Sequence, residues 1–183
     1  MPRPLLFLDI DGPLIPFGSP AGHPAFPAVL ASPGEAANPL LDRIDPALGP
    51  KLAALPCELV WATSWTAEDA NASVAPRLGL PALPAVTWPE PCAADDARDE
   101  RAGLHWKTRT LVAHAAGRPF AWADDEITGA DRDWVAAQGV RALLHRVDPR
   151  QGLTERDFAV LAAWLPGSRG GGDPTPRAPR PRR

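Results

Sequence analysis

The sequence predicts an α/β fold of three layers, in which helices cover both faces of a mostly parallel central sheet. Short apolar runs with the length of buried strands alternate along the chain with segments that carry helix-capping residues. Strands that alternate with helices are joined by right-handed crossovers and lie parallel. The 183 residues suit one domain with a full core. We therefore expect one domain over residues 1–166 and a tail over 167–183.

The first predicted strand is the apolar run Leu5-Leu6-Phe7-Leu8, which is followed by the acids of Asp9-Ile10-Asp11-Gly12. An unbroken apolar run is typical of a strand that is buried on both faces. Ligands bind at the carboxyl ends of parallel strands, so the two acids predict a site. Their mutual repulsion calls for a cation or a shared proton. The alternative is an ordinary Asp-Gly turn in which both acids are solvated.

A long loop, a helix and a second strand come next. The stretch from Pro13 to about Pro39 is rich in proline and glycine and predicts a loop, with room for a small hairpin or flap over Asp9. Asp45-Pro46 is typical of a helix start, and the helix should run to about Leu55. The run 58–63 predicts a strand that again ends on a polar residue, Thr63.

The rest of the chain repeats this alternation. Residues 66–69 form a capping-box pattern that opens a helix ending at Gly79, and a weakly marked strand covers 85–88. In 90–101 acids alternate with arginines, which favours a solvated loop over a metal site. The later predictions are a helix over 107–116 that Gly117 ends, a strand over 119–123 followed by Asp124-Asp125, a helix over 131–138, a strand over 140–144, and a helix from Thr154 to about Leu165.

The polar residues that follow these strands define a candidate site, because the carboxyl ends of parallel strands share one edge of the sheet. A lysine opens the helix before the last acidic pair and completes the set. Carboxylates, a hydroxyl and an ammonium together suit Mg²⁺-assisted phosphoryl transfer, and a carboxylate can also act as the nucleophile. The set is Asp9, Asp11, Thr63, Lys107, Asp124 and Asp125.

At these residues the chain resembles the haloacid dehalogenase-like (HAD) hydrolase superfamily over about residues 4–165. The first motif, DxDGx[TV], is similar to residues 9–14, and the other motifs resemble Thr63, Lys107 and the acidic pair 124–125. The resemblance implies a Rossmann-like fold with a minimal cap or none, and Mg²⁺ as cofactor. Residues 59–65, 147–149 and 152–154 are more narrowly similar to small HAD domains attached to RNA-repair proteins.

The resemblance also implies a role for each site residue. Asp9 would be the nucleophile and a metal ligand. Asp11 would be first the general acid and then the general base, with its backbone carbonyl on the metal. Thr63 and Lys107 would bind the phosphoryl group, and the acidic pair 124–125 would complete the metal shell. The sequence departs from the family at Pro13, which removes a backbone donor beside the site.

We therefore expect a Mg²⁺-dependent phosphatase that acts on a phosphorylated substrate through an aspartyl phosphate. One alternative is a phosphatase of nucleotides or nucleic-acid ends, as in RNA repair. It gains weak support from the Gly/Pro/Arg-rich tail over 167–183, which we expect to be disordered and which carries five arginines against one aspartate. The whole chain has a net charge of −3 although this tail is positive, so the rest of the chain is acidic. An acidic domain opposes nucleic-acid binding. A non-catalytic binding module is the second alternative.

Composition also suggests where the protein works and which side chains form its core. The sequence has no apolar run long enough to span a bilayer, so we expect a cytoplasmic protein, with Cys57 and Cys92 as reduced thiols. The tryptophans at 61 and 122 fall within strands and should be core residues. Trp65 should pack in the core or line the site entrance, and His105 should be a surface residue.

Overall fold

The computed structural model describes residues 2–27 and 38–165, which form a four-stranded parallel sheet between two layers of helices. The strands are β1 (Leu5–Leu8), β2 (Glu58–Trp61), β3 (Phe120–Asp124) and β4 (Ala142–Arg146), in the spatial order β2-β1-β3-β4. All three neighbouring pairs are parallel. The predicted three-layer α/β class is therefore confirmed.

The burial of each strand follows from its place in the sheet. The inner strands β1 and β3 are buried along their whole length, whereas the edge strands β2 and β4 are partly exposed. Leu6 and Leu8 belong to one core cluster, and Leu5 and Phe7 belong to another on the opposite face. An unbroken apolar run thus fills two cores at once, as expected for an inner parallel strand.

Helices cover both core clusters. Residues of α1 (Leu48–Ala54) and α6 (Glu155–Trp164) belong to the first, and residues of α4 (Thr108–Ala115) and α5 (Gly129–Ala137) belong to the second. The helix α1 begins later than its sequence signal, because the Asp45 carboxylate accepts from Ala47 N at 2.8 Å in a turn that precedes it. The strand β4 likewise lies about two residues beyond the prediction.

The segment 66–79 starts as predicted and then changes its winding. Thr66 caps α2 (Ala67–Asp69), its side chain accepting from Asp69 N at 3.0 Å. The chain continues through a π turn (Ala70–Val74) and a 3₁₀ turn (Pro76–Leu78), and a left-handed Gly79 ends it. Because Pro76 has no N–H, regular α-helical bonding cannot run through it.

The loop predicted over 90–101 is wrong, since Ala93–Ala102 forms a helix, α3. Its charged residues are solvated, as predicted, but they support the helix through pairs such as Arg98–Asp95 at 2.8 Å, three residues apart. A left-handed Gly103 ends α3. The strand predicted over 85–88 is also wrong, because only an isolated bridge joins Ala85 to Trp61.

Other predictions fall partly or wholly outside the described residues. In the loop predicted over 13–39, residues 17–27 contain no helix or strand, a 3₁₀ helix occupies Pro39–Arg43, and 28–37 are not described. The tail over 167–183 also lies outside the described residues. Within the described ranges, no helix combines the length and apolar character needed to cross a bilayer. Cys57 and Cys92 are free thiols, one buried and one exposed.

Candidate active site

The sheet register brings the first and last acidic motifs side by side. Leu8 pairs with Ala123 on β3, so Asp9, the next residue, lies beside Asp124. Asp9 N donates to the Ala123 carbonyl at 3.1 Å and extends this pairing by one residue. Both side chains are buried, with exposures of 6% and 0%. Two carboxylates predicted from distant segments therefore share one buried edge of the sheet.

Lys107 joins these two carboxylates. Its Nζ donates to Asp9 Oδ2 at 2.7 Å and to Asp124 Oδ2 at 2.8 Å, and the side chain is only 3% exposed. The backbone of Lys107 is the N-cap of α4, so the helix start aims the side chain at the sheet. The Ile10 N–H donates to the other Asp9 oxygen at 2.8 Å. The carboxyl group of Asp9 is thus held at both oxygens.

The protonation of this cluster reflects burial and mutual charge. Burial raises the pKa of Asp9 and Lys107 lowers it, while Asp124 raises it further; the result is about 7. Burial opposes the charge of Lys107, but Asp9 and Asp124 outweigh it and raise the pKa of the ammonium. The lysine therefore remains a cation at neutral pH, whereas the protonated and ionised forms of Asp9 are both populated there.

Asp125 supplies a third carboxylate to the same cluster. Oxygens of Asp9, Asp124 and Asp125 lie within 4.8 Å of one another. Burial, and then the charge of Asp124, raises the pKa of Asp125. The Gly12 backbone approaches this residue so closely that a Cβ on Gly12 would lie 2.5 Å from Asp125 Oδ1. The glycine of the first motif therefore leaves the space in which the third carboxylate stands.

Asp11 is held by an aromatic side chain. The Trp65 indole N–H donates to Asp11 Oδ2 at 3.0 Å, although the two residues are 54 positions apart. Trp65 also packs against the first core cluster, which confirms the core-packing alternative; a place at the site entrance stays a prediction. Asp11 as a whole residue is half-buried.

Thr63 follows β2 directly and is 3% exposed. Its Oγ1 accepts a long hydrogen bond from Trp65 N at 3.4 Å, and its carbonyl accepts from the Trp88 indole at 2.8 Å. Trp88 in turn contacts Trp106, with ring centroids 4.7 Å apart. Thr63, whose hydroxyl the family resemblance implies in phosphoryl binding, is therefore held by the Trp65 backbone at Oγ1 and by the Trp88 indole at its carbonyl.

Comparison with known families agrees with this geometry. A family model described as the HAD domain in Swiss Army Knife RNA repair proteins matches residues 5–158. This chain belongs to that family. The match covers all six predicted site residues, and the parallel sheet is that of a HAD Rossmann-like domain. Among curated proteins and solved structures, none matches the chain significantly.

The HAD domain contains a positioning residue that the sequence analysis missed, Asp131. One of its oxygens accepts from His105 N at 2.8 Å and Thr108 Oγ1 at 2.6 Å, and the other accepts from Thr128 N at 2.8 Å and Thr128 Oγ1 at 2.7 Å. Burial opposes its ionisation, but these hydrogen bonds lower the pKa of the buried Asp131. It ties the start of α5 to the start of α4, which carries Lys107. The spacing Thr128-x-x-Asp131 is a capping-box signal that could have revealed it.

His105 is not the surface residue that was predicted. Its side chain is 8% exposed, and Nδ1 accepts from Lys107 N at 3.2 Å. The protonated Nε2 then donates to Glu126 Oε2 at 3.0 Å. The imidazole therefore links the residues beside Lys107 to the loop that follows Asp124, and this role depends on neighbours that sequence alone does not place.

Pro13 lies in the turn of the first motif of the HAD domain, and the backbone groups of the residues around it form hydrogen bonds. Leu14 N and Ile15 N both donate to the Ile10 carbonyl, at 3.0 and 2.9 Å. The Pro13 carbonyl accepts from Leu153 N at 2.9 Å, which connects the turn to the segment before α6. The missing proline N–H is thus accommodated, and the carbonyl provides a tertiary contact.

Proposed function

We propose that this HAD domain is a Mg²⁺-dependent phosphatase, a phosphoric monoester hydrolase that works through an aspartyl phosphate. The observation that carries the proposal is the buried ammonium of Lys107, which donates to Asp9 and Asp124 at the carboxyl edge of the sheet. A nucleophilic carboxylate, a fixed cation and further acids in one buried cluster suit phosphoryl transfer.

The acids of the cluster fit a divalent cation. Asp9, Asp124 and Asp125 offer carboxylate oxygens, the donor type that Mg²⁺ prefers, within 4.8 Å of one another. Burial and the neighbouring carboxylate raise the pKa of Asp9 and of Asp125, so a divalent cation beside the single ammonium of Lys107 would stabilise the ionised forms of these acids. When bound, the ion would polarise the phosphoryl oxygens and help to neutralise their charge. The Asp11 backbone carbonyl is the fourth proposed ligand.

The proposed reaction has two steps. A carboxylate oxygen of Asp9 forms a bond to phosphorus while the ester P–O bond breaks, and the Asp11 carboxyl gives its proton to the leaving oxygen. Asp11 then takes a proton from water, whose oxygen attacks phosphorus and displaces Asp9. The Trp65 hydrogen bond holds the carboxyl that performs both proton transfers. Lys107 and Thr63 would hold the phosphoryl oxygens through both steps.

The family match favours one substrate class over others. HAD domains of this family occur in RNA repair proteins, which supports phosphorylated nucleotide or nucleic-acid ends as substrates. The acidic charge of residues 1–166 opposes tight binding of a long polyanion. We therefore propose that the domain recognises the terminal nucleotide of a nucleic acid and not an extended stretch of its backbone.

The first test is hydrolysis of an aryl phosphate with and without Mg²⁺, by the wild type and by Asp9→Asn. We expect metal-dependent turnover that disappears in the variant while circular dichroism stays unchanged. Asp157→Asn, on α6 and outside the acidic cluster, is the matched aspartate control and should retain turnover. Absence of turnover by folded wild type on aryl phosphates and on nucleotides would instead favour a binding module.

A second test addresses the nucleic-acid end. Turnover of a 5′- or 3′-phosphorylated oligonucleotide should fall as salt rises, and removal of 167–183 should flatten this dependence, because the arginines of that segment would contact backbone phosphates. A mononucleotide is the control substrate, since it lacks the extended backbone. Equal salt dependence for the two substrates would count against a polynucleotide.

A further inference from the structure

Trp106 is an exposed aromatic side chain in contact with the candidate active site. At 47% exposure it is the most exposed large hydrophobic residue within 2–27 and 38–165. Trp61 and Trp122, by comparison, are each only 1% exposed. Leaving an indole in water forgoes the free energy of burying its apolar surface. Beside a candidate site, such an exposed ring can provide a stacking surface for a flat group of a ligand.

The position of Trp106 couples it to the phosphoryl site. The Lys107 Nζ lies 5.5 Å from the centre of the Trp106 ring and 2.7 Å from Asp9 Oδ2. A phosphoryl group held by Lys107 would thus lie within about one sugar ring of the indole. Any flat group that is attached to such a phosphate through a sugar can reach the tryptophan.

Trp106 is also supported by its neighbours. Trp88 meets it edge to face, with centroids 4.7 Å apart and planes at 64°, and the Trp88 indole is itself anchored to the Thr63 carbonyl at 2.8 Å. The ring of His105, the preceding residue, also lies nearby, with its centroid 5.7 Å from that of Trp106. A supported aromatic ring loses little conformational freedom when a ligand stacks on it, which favours binding.

We propose that Trp106 is a stacking platform for the nucleobase next to the phosphate that is removed. The inference rests on the proposed phosphatase function and adds the part of the substrate that is recognised. Stacking on an aromatic side chain tolerates any base, because every base has a π-face. The domain would therefore select a nucleotide end over a phosphosugar without reading its sequence.

The test separates this platform from the chemistry. Asp9→Asn, which is expected to bind without turnover, is titrated with adenosine 5′-monophosphate, adenosine 3′-monophosphate and ribose 5-phosphate by equilibrium dialysis. We expect at least one nucleotide to bind more tightly than the phosphosugar. Adding Trp106→Ala should lower that nucleotide-to-phosphosugar affinity ratio by roughly 5- to 100-fold. Trp106→Phe should retain most of the ratio, and Val160→Ala, an exposed apolar residue on α6, should leave it unchanged.

The ratio distinguishes the two proposals. Loss of general phosphate binding through disturbance of the adjacent Lys107 cancels in the ratio, so an unchanged ratio would overturn the platform. Equal binding of nucleotides and ribose 5-phosphate by Asp9→Asn would overturn it as well. If a phosphotyrosine peptide depended on Trp106 and the nucleotides did not, the ligand would be a protein. Failure of the phosphatase proposal appears separately, as absent turnover by the wild type.

Discussion

Asp131→Asn provides a sharp test of how the lysine of the candidate site is held, because it replaces one buried carboxylate oxygen by an amide nitrogen and keeps the shape of the side chain. The carboxylate accepts four hydrogen bonds, two at each oxygen. An asparagine amide nitrogen cannot accept, so at least one backbone N–H, from His105 or Thr128, loses its partner. Because the side chain keeps its volume, the substitution creates no cavity that would add its own loss of stability.

The expected loss follows from the bonds that disappear. Hydrogen bonds to a charged group contribute roughly 1.5–3 kcal/mol each, and the amide recovers part of this through the rotatable Thr128 hydroxyl. We therefore expect the free energy of unfolding to fall by about 2–4 kcal/mol. The start of α4 should loosen at the same time, so kcat should fall beyond the fraction of protein that is unfolded, since Lys107 lies one residue before that helix.

The assay combines urea unfolding with phosphatase kinetics, and Asp157→Asn is the matched control. Asp157 occupies the same capping position on α6, where it accepts from Thr154 N at 2.7 Å and bonds His145 at 2.7 Å. Neither residue of that pair belongs to the acidic cluster or bonds Lys107, so the control should lose stability and keep its kcat. Equal effects of the two substitutions on kcat, or a loss below about 1 kcal/mol for Asp131→Asn, would refute the reasoning.

The same residue gives a pH dependence with a definite sign. The folded protein lowers the pKa of Asp131 below its ordinary value, so the ionised form stabilises the fold. This contribution is fully present above about pH 3.9 and is lost as pH falls through the lower folded-state pKa. Acid unfolding of Asp131→Asn should therefore be less steep than that of the wild type.

Three further predictions concern the acidic cluster and its neighbours. Gly12→Ala should weaken Mg²⁺ binding, measured by calorimetry, because its Cβ would lie 2.5 Å from Asp125 Oδ1; Gly18→Ala is the control, since it has a similar φ of 77° and nothing within 4 Å of the added Cβ. Mg²⁺ affinity should rise with pH through about 7 and level off above it, because the proposed metal would bind the ionised form of Asp9, whose pKa is about 7. Trp65→Phe should lower kcat about 10-fold after correction for any unfolded fraction, because it removes the hydrogen bond to the proposed general acid, and the smaller ring should also lower the stability through lost packing against the first core cluster.

Each of these predictions has an outcome that would contradict it. Equal Mg²⁺ affinity for Gly12→Ala and Gly18→Ala would show that the close approach to Asp125 is dispensable. A Mg²⁺ affinity that does not change between pH 5 and 8 would show that ionised Asp9 is not a ligand of the metal. An unchanged kcat in Trp65→Phe would show that Trp65 contributes packing and that its hydrogen bond to Asp11 does not affect the reaction.

The strand motifs could be predicted because their signals are local. The run Leu5–Leu8 is apolar enough to be an inner strand under any topology, and the acids after it must then stand at a strand end. The same reasoning holds for Asp124 after β3. The error over 90–101 has a local cause as well: charges spaced three residues apart stabilise a helix in water, yet they lack the apolar stripe by which amphipathic helices are recognised.

The sequence by itself determined which chemical groups the chain carries to its strand ends, and a family whose motifs match them. Only the tertiary structure decided how those groups meet. The strand order β2-β1-β3-β4 sets Asp9 beside Asp124, and contacts across 98 and 54 residues bring Lys107 to Asp9 and Trp65 to Asp11. Local propensity specifies strands and caps, whereas such partners depend on nonlocal packing, which no short stretch of sequence encodes.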